Sequence, residues 1–339
     1  MSIPLVSVAM PVFNAEKYIK QAIDSILNQT YVNFELIIVN DGSTDKSKEI
    51  ILTYADKRIL YIENETNIGI AKTRNKCIQC ASGKYIAVLD NDDIALPCRL
   101  EKQVEFLEAD SSYGLCGSFY EIIDGKGHLI SKMKLPVTDH QVKTYLLFDN
   151  CFCNSSVMVH SYLLKERFYS EGYDMIEDYH FLYSVSEFKK LFIIPLYITQ
   201  YRKHGKNTSI EKLDGMRNIR KKMDRAILTG IGIPYSEEEF AIHTNFFTDN
   251  LDFFNNDSVI SRLESWLMKL YQFLKLSQRY DMTLIEKIFT RRWISIFKRT
   301  RSKSFRIVFN KLSIRFKVRY LKYFLELLTE KYSKQRSAA

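Results

Sequence analysis

The chain of 339 residues is 46% hydrophobic and 26% charged and contains 12 Gly and 6 Pro. This composition excludes a collagen-like or low-complexity protein and predicts a domain of ordinary size with a smaller second unit. The formal net charge of +9 comes from residues 290–339, where 15 Lys or Arg outnumber 2 Asp or Glu, while residues 1–289 carry a net charge of −4. The lack of an apolar run of about 18 residues and of a signal-peptide pattern predicts a cytoplasmic protein without a membrane-spanning helix.

Apolar runs alternate with amphipathic segments over residues 5–109. The run FELIIVN at 34–40 is nearly continuous, as in a strand that is buried on both faces of a sheet. The predicted strands are 5–12, 34–40, 59–64 and 84–90, and the predicted helices are 15–29, 45–55, 69–81 and 99–109. Strands that alternate with helices of this length predict βαβ units and a mostly parallel α/β sheet flanked by helices.

The pattern becomes less regular from residue 113 onward. The elements predicted there are a hairpin around residues 125–127, strands at 156–160 and 191–202, and a helix at 175–188. After residue 212 the strand signal ends, and the chain has the pattern of several helices rich in Phe, Tyr, Leu and Ile. We therefore predict an α/β domain over residues 1–212 and a helical, basic region over residues 213–339.

Cysteine spacing raises the question of a redox or zinc site. Cys77 and Cys80 have the spacing of such a pair, but they lie inside a helical pattern, and no second pair at zinc-site spacing follows. We expect ordinary thiols, in keeping with the reducing cytosol.

Polar turns follow the predicted strands, and ligands of open α/β sheets bind at the carboxyl ends of the strands. The most distinctive turn is residues 90–93, Asp-Asn-Asp-Asp, with three carboxylates in four residues. These carboxylates repel one another, and a hard cation such as Mg²⁺ or Mn²⁺ that also holds phosphate would offset the repulsion. Asp93 has an alternative role, which is to cap the helix that begins near residue 99.

Two other turns give weaker signals. The turn at 41–45 can cap the next helix and can also face a nucleoside. The turn at 67–69 is followed by Arg74, one turn inside a helix, where an arginine can contact a base or phosphate or remain an ion-paired surface residue. The sequence has no GxGxxG after its first strand and no GxxxxGK[ST], so neither a dinucleotide site nor a P-loop is expected.

Two long stretches carry a resemblance to a known family. They are SVAMPVFNAEKYIKQAIDSILNQTYVNFELIIVNDGSTDKS and NIGIAKTRNKCIQCASGKYIAVLDNDDIALPCRLEKQVEF. Together they resemble the nucleotide-sugar-binding half of family 2 glycosyltransferases of the bacterial cell-surface polysaccharide type, which have the GT-A fold. The match extends over residues 4–110 and more loosely, through IEDYHF and YRKHGKNTS, to residue 210. The resemblance implies inverting transfer of a sugar from a nucleoside diphosphate, usually UDP, to an acceptor hydroxyl of a growing surface glycan, with Mn²⁺ or Mg²⁺ as cofactor.

The resemblance also assigns residues of this chain to a donor site. The residues assigned to the nucleotide sugar are Pro11, Phe13, Asn14, Asn40, Asp41, Arg74, Asp90 and Asn91. Asn40 and Asp41 stand where many members have two acids that read uracil, and both can accept a hydrogen bond from the base. Residues 90–92 match the DxD motif, in which Asp92 is the expected metal ligand and Asp90 supports the ribose or the metal. Asp93 then lies behind the ligands or caps the helix.

A second acidic pair, Glu177 and Asp178 in MIEDYHF, concerns the reaction itself. From the residues alone, it could be an exposed pair at a helix start, where the helix dipole favours acids. The resemblance makes Asp178 the base that takes the proton of the acceptor hydroxyl, with Glu177 as a supporting residue or acceptor contact. His204 in YRKHGKNTS matches a family histidine at the metal or diphosphate, so we expect it to be a metal ligand.

The basic tail, residues 290–339, has three interpretations. It can lie peripherally on an anionic membrane, pack its apolar stripe on the catalytic domain, or contact nucleic acid, although no nucleic-acid-binding module is recognisable and none is expected. The expected partners are therefore a UDP-sugar donor and a glycan or lipid-linked acceptor. Two alternatives for the whole chain are a sugar nucleotidyltransferase, which needs a Gly-rich cationic loop after the first strand, and a nucleotide-sugar-binding module without catalysis.

Overall fold

A computed structural model describes residues 3–205, 213–248, 250–254 and 257–300 of the chain. The chain divides after Ile219 into two units. The predicted domain boundary, residue 212, lies outside the described residues. So do residues 301–339 of the basic tail.

The N-terminal unit is built on one nine-stranded sheet. Its strands are β1 (Val6–Val12), β2 (Phe34–Asn40), β3 (Ile59–Glu63), β4 (Tyr85–Val88), β5 (Ile94–Ala95), β6 (Tyr113–Ile123), β7 (Leu129–Met133), β8 (Met158–His160) and β9 (Lys190–Arg202). Its helices are α1 (Ile19–Leu27), α2 (Ser47–Leu52), α3 (Ile70–Cys80), α4 (Arg99–Ala109), α5 (Asp139–Leu146), α6 (Ser161–Arg167) and α7 (Glu177–Ser186). The strand order is β3-β2-β1-β4-β8-β6-β9-β5, with β7 paired to β6, which confirms the predicted α/β class.

The first half of the sheet is parallel and the second half is mixed. Strands β3, β2, β1 and β4 are parallel neighbours, whereas β8 runs antiparallel to β4 and β6, and β5 runs antiparallel to β9. A parallel neighbour needs a long crossover connection, and the helices α1, α2 and α3 supply these in the first half. In the second half, β6 and β7 form a hairpin, whereas the antiparallel neighbours β4 and β8, β6 and β8, and β5 and β9 come from distant parts of the chain.

The core explains why β1 lies in the middle of the sheet. Every residue of β1 is buried, as expected for a strand that is covered on both faces. One face of α1 buries Ile19, Ile23 and Ile26 in the same apolar cluster as the side chains of β1, and each such side chain contributes about 1.5–3 kcal/mol relative to exposure. Strand β2 pairs with β1 as far as Val12, whereas β4 pairs with it only as far as Ala9, so the carboxyl end of β1 lies beside β2.

One short element that periodicity did not predict brings distant residues together. Strand β5 has two residues, too few to show an alternating pattern, and it pairs antiparallel with β9, with Ile94 opposite Gln200. This pairing places the turn at 90–93 beside the end of β9 and the residues that follow it.

The described part of the C-terminal unit is helical, as expected. Its helices are α8 (Leu213–Ile231), which contains the division, α9 (Glu237–Phe247), α10 (Asp257–Ser277) and α11 (Met282–Thr300). Phe246 contacts the rings of Phe254, Phe289 and Trp293 in an aromatic core. The described beginning of the basic tail thus buries apolar side chains, including Ile294. Across the described ranges, no helix is both long and apolar enough to cross a bilayer.

Candidate active site

The first turn, residues 11–14 after β1, is bonded to the second turn, residues 41–45 after β2, and to the acidic turn, residues 90–93. Pro11 is buried, and its carbonyl oxygen accepts a hydrogen bond from Asn91 Nδ2 at 2.9 Å. Asn14 has a φ of 49°, and its Oδ1 accepts from the backbone N–H of Thr44 at 2.9 Å. Phe13 between them is 45% exposed. The first turn therefore presents one aromatic ring to solvent on a backbone fixed by its neighbours.

Asn40 and Gly42 shape the second turn. Asn40 is fully buried, its Nδ2 donates to Tyr61 Oη at 3.1 Å, and its Oδ1 accepts from the Ser43 backbone N–H at 3.3 Å. Gly42 has a φ of +66°, and a Cβ there would lie 2.8 Å from the carbonyl carbon of Thr66. Only glycine fits this approach, so the turn brings Asp41 close to the loop that precedes α3.

Asp41 is buried and organises that loop. Its Oδ1 accepts from Asn64 Nδ2 at 2.7 Å and from the Ile68 N–H at 2.9 Å, and its Oδ2 accepts from the Gly69 N–H at 3.1 Å. Each carboxylate oxygen has two acceptor positions. Of the described residues, Gly69 alone donates to Oδ2, so this oxygen can accept a further donor such as an imide N–H.

Arg74 connects the acidic turn with the second acidic pair. It is buried on α3, its Nη2 donates to Asp90 Oδ1 at 2.8 Å, and its Nη1 donates to Glu177 Oε1. Its guanidinium also lies 5.7 Å from the ring centroid of Tyr169. Burial disfavours the charged guanidinium, but the two carboxylates outweigh burial and raise the pKa of Arg74. The interior thus holds a fixed cation between two acids from distant parts of the chain.

The three carboxylates of the acidic turn have different surroundings. Asp90 pairs with Arg74, and its backbone N–H donates to Ser155 Oγ at 3.0 Å. Asp92 Oδ2 lies 2.8 Å from His204 Nε2. Asp93 is buried and accepts from the Arg202 N–H at 2.7 Å.

Asp93 does not cap a helix. Helix α4 begins at Arg99 after Cys98, whose side chain makes no capping bond, and the Leu100 N–H in its first turn donates to Gln29 Oε1 at 3.0 Å. Burial, together with the charges of Asp92 and Asp90, raises the pKa of Asp93 well above its ordinary value. Burial and the neighbouring charges thus favour the uncharged form of the Asp93 carboxyl, and loss of its charge would lessen the repulsion within the turn.

His204 is held beside Asp92 by the end of β9. Its ring stacks on Tyr18 with 4.9 Å between centroids, and the Arg202 guanidinium lies 4.7 Å from the same tyrosine ring. Arg202 is buried, and its Nη2 donates to Gln21 Oε1 at 2.7 Å. These contacts join β9 to the segment around α1, so that His204 faces the acidic turn.

Asp92 and His204, which share a hydrogen bond, have side chains of the kind that ligate divalent cations. Two ligands of an octahedral Mg²⁺, each about 2.1 Å from the ion, are separated by about 3 Å, and Asp92 Oδ2 and His204 Nε2 are 2.8 Å apart. Both side chains are partly exposed, at 20% and 16% respectively. In the described part of the chain, no group of three or more His, Cys, Asp or Glu could hold a metal ion by itself. Phosphate oxygens would have to complete the coordination.

Glu177 and Asp178 begin α7 and differ in their surroundings. Glu177 is buried against Arg74. Asp178 is half-buried, and its oxygens accept from Asn150 Nδ2 at 3.0 Å and from the Tyr179 N–H at 2.7 Å. Burial, and then the neighbouring Glu177, raise the pKa of Asp178 to about 7, although Arg74 opposes the shift. A carboxylate with this pKa can accept and release a proton near neutrality.

Sequence reasoning missed Asn150, Ser155 and Tyr169, which contact the predicted residues. The first two belong to the polar segment 149–156, whose run of Asn, Ser and Cys before β8 was the available signal. Buried atoms of Arg74, Asp93 and Glu177 (Nε, Oδ2 and Oε2) lack a hydrogen-bond partner among the described residues. Unpaired buried polar atoms are uncommon in folded proteins, and catalytic sites are among the places where they occur.

The six cysteines are all free thiols. Cys77 is buried on α3, and burial raises the pKa of its thiol to about 12, so it remains protonated.

Comparison with known proteins identifies the family. The profile of Glycosyl transferase family 2 matches residues 7–170. A glycosyltransferase of Methanocaldococcus jannaschii is 38% identical over 219 residues, which cover 63% of this chain and 76% of that protein. The Escherichia coli enzyme WfgD, named a UDP-Glc:alpha-D-GlcNAc-diphosphoundecaprenol beta-1,3-glucosyltransferase, is 38% identical over 148 residues, covering 43% of this chain and 56% of that protein.

The fold also has solved relatives. The crystal structure of S. aureus TarS in complex with UDP-GlcNAc aligns with a TM-score of 0.56 and 18% identity, covering 88% of this chain and 90% of that chain. This similarity concerns the fold, and it confirms the expected GT-A architecture. The chain therefore belongs to glycosyltransferase family 2 and is a glycosyltransferase with the GT-A fold.

Proposed function

We propose that this glycosyltransferase transfers a sugar, with inversion, from a UDP-sugar to an acceptor hydroxyl of a lipid-linked or growing surface glycan. One observation carries the proposal. Arg74 forms an ion pair with Asp90 of the acidic turn and another with Glu177, the neighbour of Asp178. It therefore joins the acidic turn and the second acidic pair in one site. The catalytic part of the chain would be residues 1–212.

The relatives support the substrate classes. WfgD is named for a UDP-glucose donor, an undecaprenol-diphosphate-linked acceptor and a β-1,3 product, and TarS has been crystallised with UDP-GlcNAc and with UDP. In this chain, exposed Phe13 is available to contact the nucleotide, and Asp41 Oδ2 can accept from an imide N–H. Uracil has one such N–H, which a carboxylate can recognise.

Asp178 would act on the acceptor. Its carboxylate takes the hydroxyl proton while the acceptor oxygen forms a bond to the anomeric carbon. The bond from that carbon to the diphosphate oxygen breaks on the opposite face, and the nucleoside diphosphate leaves with the electron pair. A single displacement of this kind inverts the anomeric configuration.

The environment of Asp178 suits this role. Its pKa near 7 matches the condition that a general base works best near the operating pH. Asn150 Nδ2 donates to Asp178 Oδ2, and the Tyr179 N–H donates to Oδ1, so the carboxylate has a fixed orientation. The ion pair with Arg74 keeps Glu177, the first acid of the pair, in the interior.

Asp92 and His204 would hold Mn²⁺ or Mg²⁺ together with the diphosphate. The ion, when bound, would neutralise negative charge on the leaving diphosphate. Asp90 would support the ribose from its fixed position beside Arg74, and Asn91 would keep the turn attached to the first strand through Pro11.

A donor screen tests the proposal. The full chain is incubated with UDP- and GDP-sugars and a polyprenyl-diphosphate-linked sugar acceptor, with Mn²⁺ or with EDTA, and nucleoside diphosphate release is followed. We expect release with a UDP-sugar that needs the metal, and a product of inverted anomeric configuration by NMR. Transfer from GDP-sugars alone would contradict the UDP-sugar donor, and undiminished activity in EDTA would contradict the metal requirement. A retained anomeric configuration would contradict the inverting mechanism.

The basic tail calls for a separate experiment. We propose that residues 290–339 contribute to peripheral binding at an anionic membrane, because their charge is concentrated there. Deleting residues 301–339 is expected to weaken sedimentation with anionic liposomes. Unchanged binding would reject this role.

A further inference from the structure

The hairpin of β6 and β7 ends in an exposed apolar tip. Leu129 is 53% exposed and Ile130 is 56% exposed, although both belong to a strand. The register of the pair shifts between Ile122 and Ile123, so that Ile130 is an extra residue in β7. Such a bulge re-aims side chains at the margin of a sheet. Two consecutive large aliphatic side chains consequently stand in solvent, where they are unfavourable without a partner.

The tip has a defined conformation. Asp124 Oδ1 accepts from the backbone N–H groups of Lys126 and His128 at 2.7 and 2.9 Å, and the Gly127 N–H donates to the Asp124 carbonyl oxygen at 3.0 Å. Gly127 has a φ of +92°, in the region that favours glycine. The hairpin therefore presents its apolar residues on a fixed turn.

Cations flank the apolar residues. Lys126 and Lys134 are exposed and form no ion pair with the described residues. The acids of the hairpin are engaged elsewhere, because Glu121 pairs with Lys132 at 2.8 Å and Asp124 holds the turn. The charge available to a partner at the tip is therefore positive.

The hairpin starts at the rim of the candidate active site. A Cβ on Gly125 would lie 2.9 Å from Tyr18 Oη and 4.0 Å from His204 Cβ. The Lys203 N–H donates to the Ile123 carbonyl oxygen at 2.8 Å. Any surface that binds the tip is therefore brought next to the segment that carries His204.

We propose that the hairpin tip, residues 124–134, docks on the surface of an anionic lipid bilayer. Leu129 and Ile130 enter the boundary between headgroups and acyl chains, and the flanking lysines pair with lipid phosphates. Two aliphatic side chains are too few for a stable protein interface, which buries about 800 Å² on each partner, whereas membrane contacts add up from small apolar and cationic contributions. The inference goes beyond the proposed function, since it does not depend on Asp178 or on the donor.

The test places a tryptophan at the tip of the full-length chain. In Ile130→Trp the new indole reports its own surroundings, so the signal does not depend on whether the basic tail also binds. The native Trp266 and Trp293 are buried and give a constant background. The matched control is Leu52→Trp, because Leu52 is 58% exposed on the end of α2. Vesicles contain phosphatidylglycerol or only phosphatidylcholine, each with brominated acyl chains.

We expect a blue shift and strong quenching of Ile130→Trp on phosphatidylglycerol vesicles, weak quenching on phosphatidylcholine, and none for Leu52→Trp. Each lysine near an anionic surface contributes about fivefold in affinity, so adding Lys126→Glu and Lys134→Glu is expected to raise the lipid concentration for half-maximal quenching at least about tenfold. Equal quenching of the two tryptophans, or quenching that survives both charge reversals, would overturn the proposal. A blue shift that grows with protein concentration without vesicles would show docking on a second copy and would also overturn it.

Discussion

Asp178→Asn tests the proposed base through stability as well as activity. The pKa of Asp178 is raised from its ordinary value of 3.8 to about 7, because burial and Glu177 disfavour the charged carboxylate. The folded state thus holds this proton more tightly than the unfolded state. Stability from this group is fully present below about pH 4 and is lost as the pH rises to about 7. At about 1.4 kcal/mol per pKa unit, the loss between pH 5 and pH 8 is about 2–3 kcal/mol.

Asparagine is neutral at every pH, so the variant avoids that loss. Its free energy of unfolding relative to the wild type is expected to improve by about 2–3 kcal/mol from pH 5 to pH 8, or roughly 5–10 °C in Tm for a unit of this size. The new NH₂ group faces the donor Asn150 Nδ2, which costs about 1 kcal/mol at both pH values and does not affect the comparison. Thermal unfolding at the two pH values measures this.

The same variant is expected to lose about 10²- to 10⁴-fold in transfer rate while it still binds UDP. The matched control is Asp174→Asn, an exposed aspartate just before α7, which should change neither quantity. UDP release reports transfer, and calorimetric titration reports UDP binding. Transfer within about threefold of the wild type would refute the base assignment, and a Tm difference that is the same at both pH values would refute the raised pKa.

Three further predictions concern the same site. Wild-type kcat/KM is expected to rise with pH through about 7 and then level off. Asn150→Ala removes a hydrogen-bond donor that stabilises the ionised Asp178, so the midpoint of this pH–rate profile is expected to move to a higher pH. Arg74→Gln leaves two carboxylates without their cation, and urea unfolding is expected to show a loss of about 3–5 kcal/mol. Asp92→Asn and His204→Gln are each expected to abolish the EDTA-sensitive rise in Tm that UDP and Mn²⁺ produce.

Matched controls exist for these variants. Asn33→Ala removes an exposed amide bonded to a backbone carbonyl and should leave the pH–rate profile in place. Arg58→Gln breaks a surface pair with Asp56 and should cost less than about 1 kcal/mol. If Arg74→Gln costs no more than Arg58→Gln, the buried network does not stabilise the site. If UDP with Mn²⁺ stabilises Asp92→Asn as much as the wild type, Asp92 is not a metal ligand.

The sequence by itself predicted those features that depend on residues close to one another in the chain. Nearly continuous apolar runs and helical spacing predicted the strands and helices of the parallel half, because strands buried on both faces are apolar throughout and helices show their buried face at a period of 3.6 residues. The turn at 90–93 was recognisable for the same reason, since its three carboxylates are adjacent in the chain and follow a buried strand. The family resemblance then supplied roles, such as that of Asp178, which local pattern alone left open.

Only the tertiary structure decided which groups meet and what charge they carry. Arg74 and Glu177 pair across 103 residues, and Asp93 accepts from Arg202, 109 residues away, instead of capping the next helix. Strand β5, too short to show a period, brings the end of β9 to the acidic turn. The raised pKa of Asp178 follows from burial against segments that are distant in the chain. Desolvation and ion pairing depend on the whole packed environment, and no run of neighbouring residues contains that information.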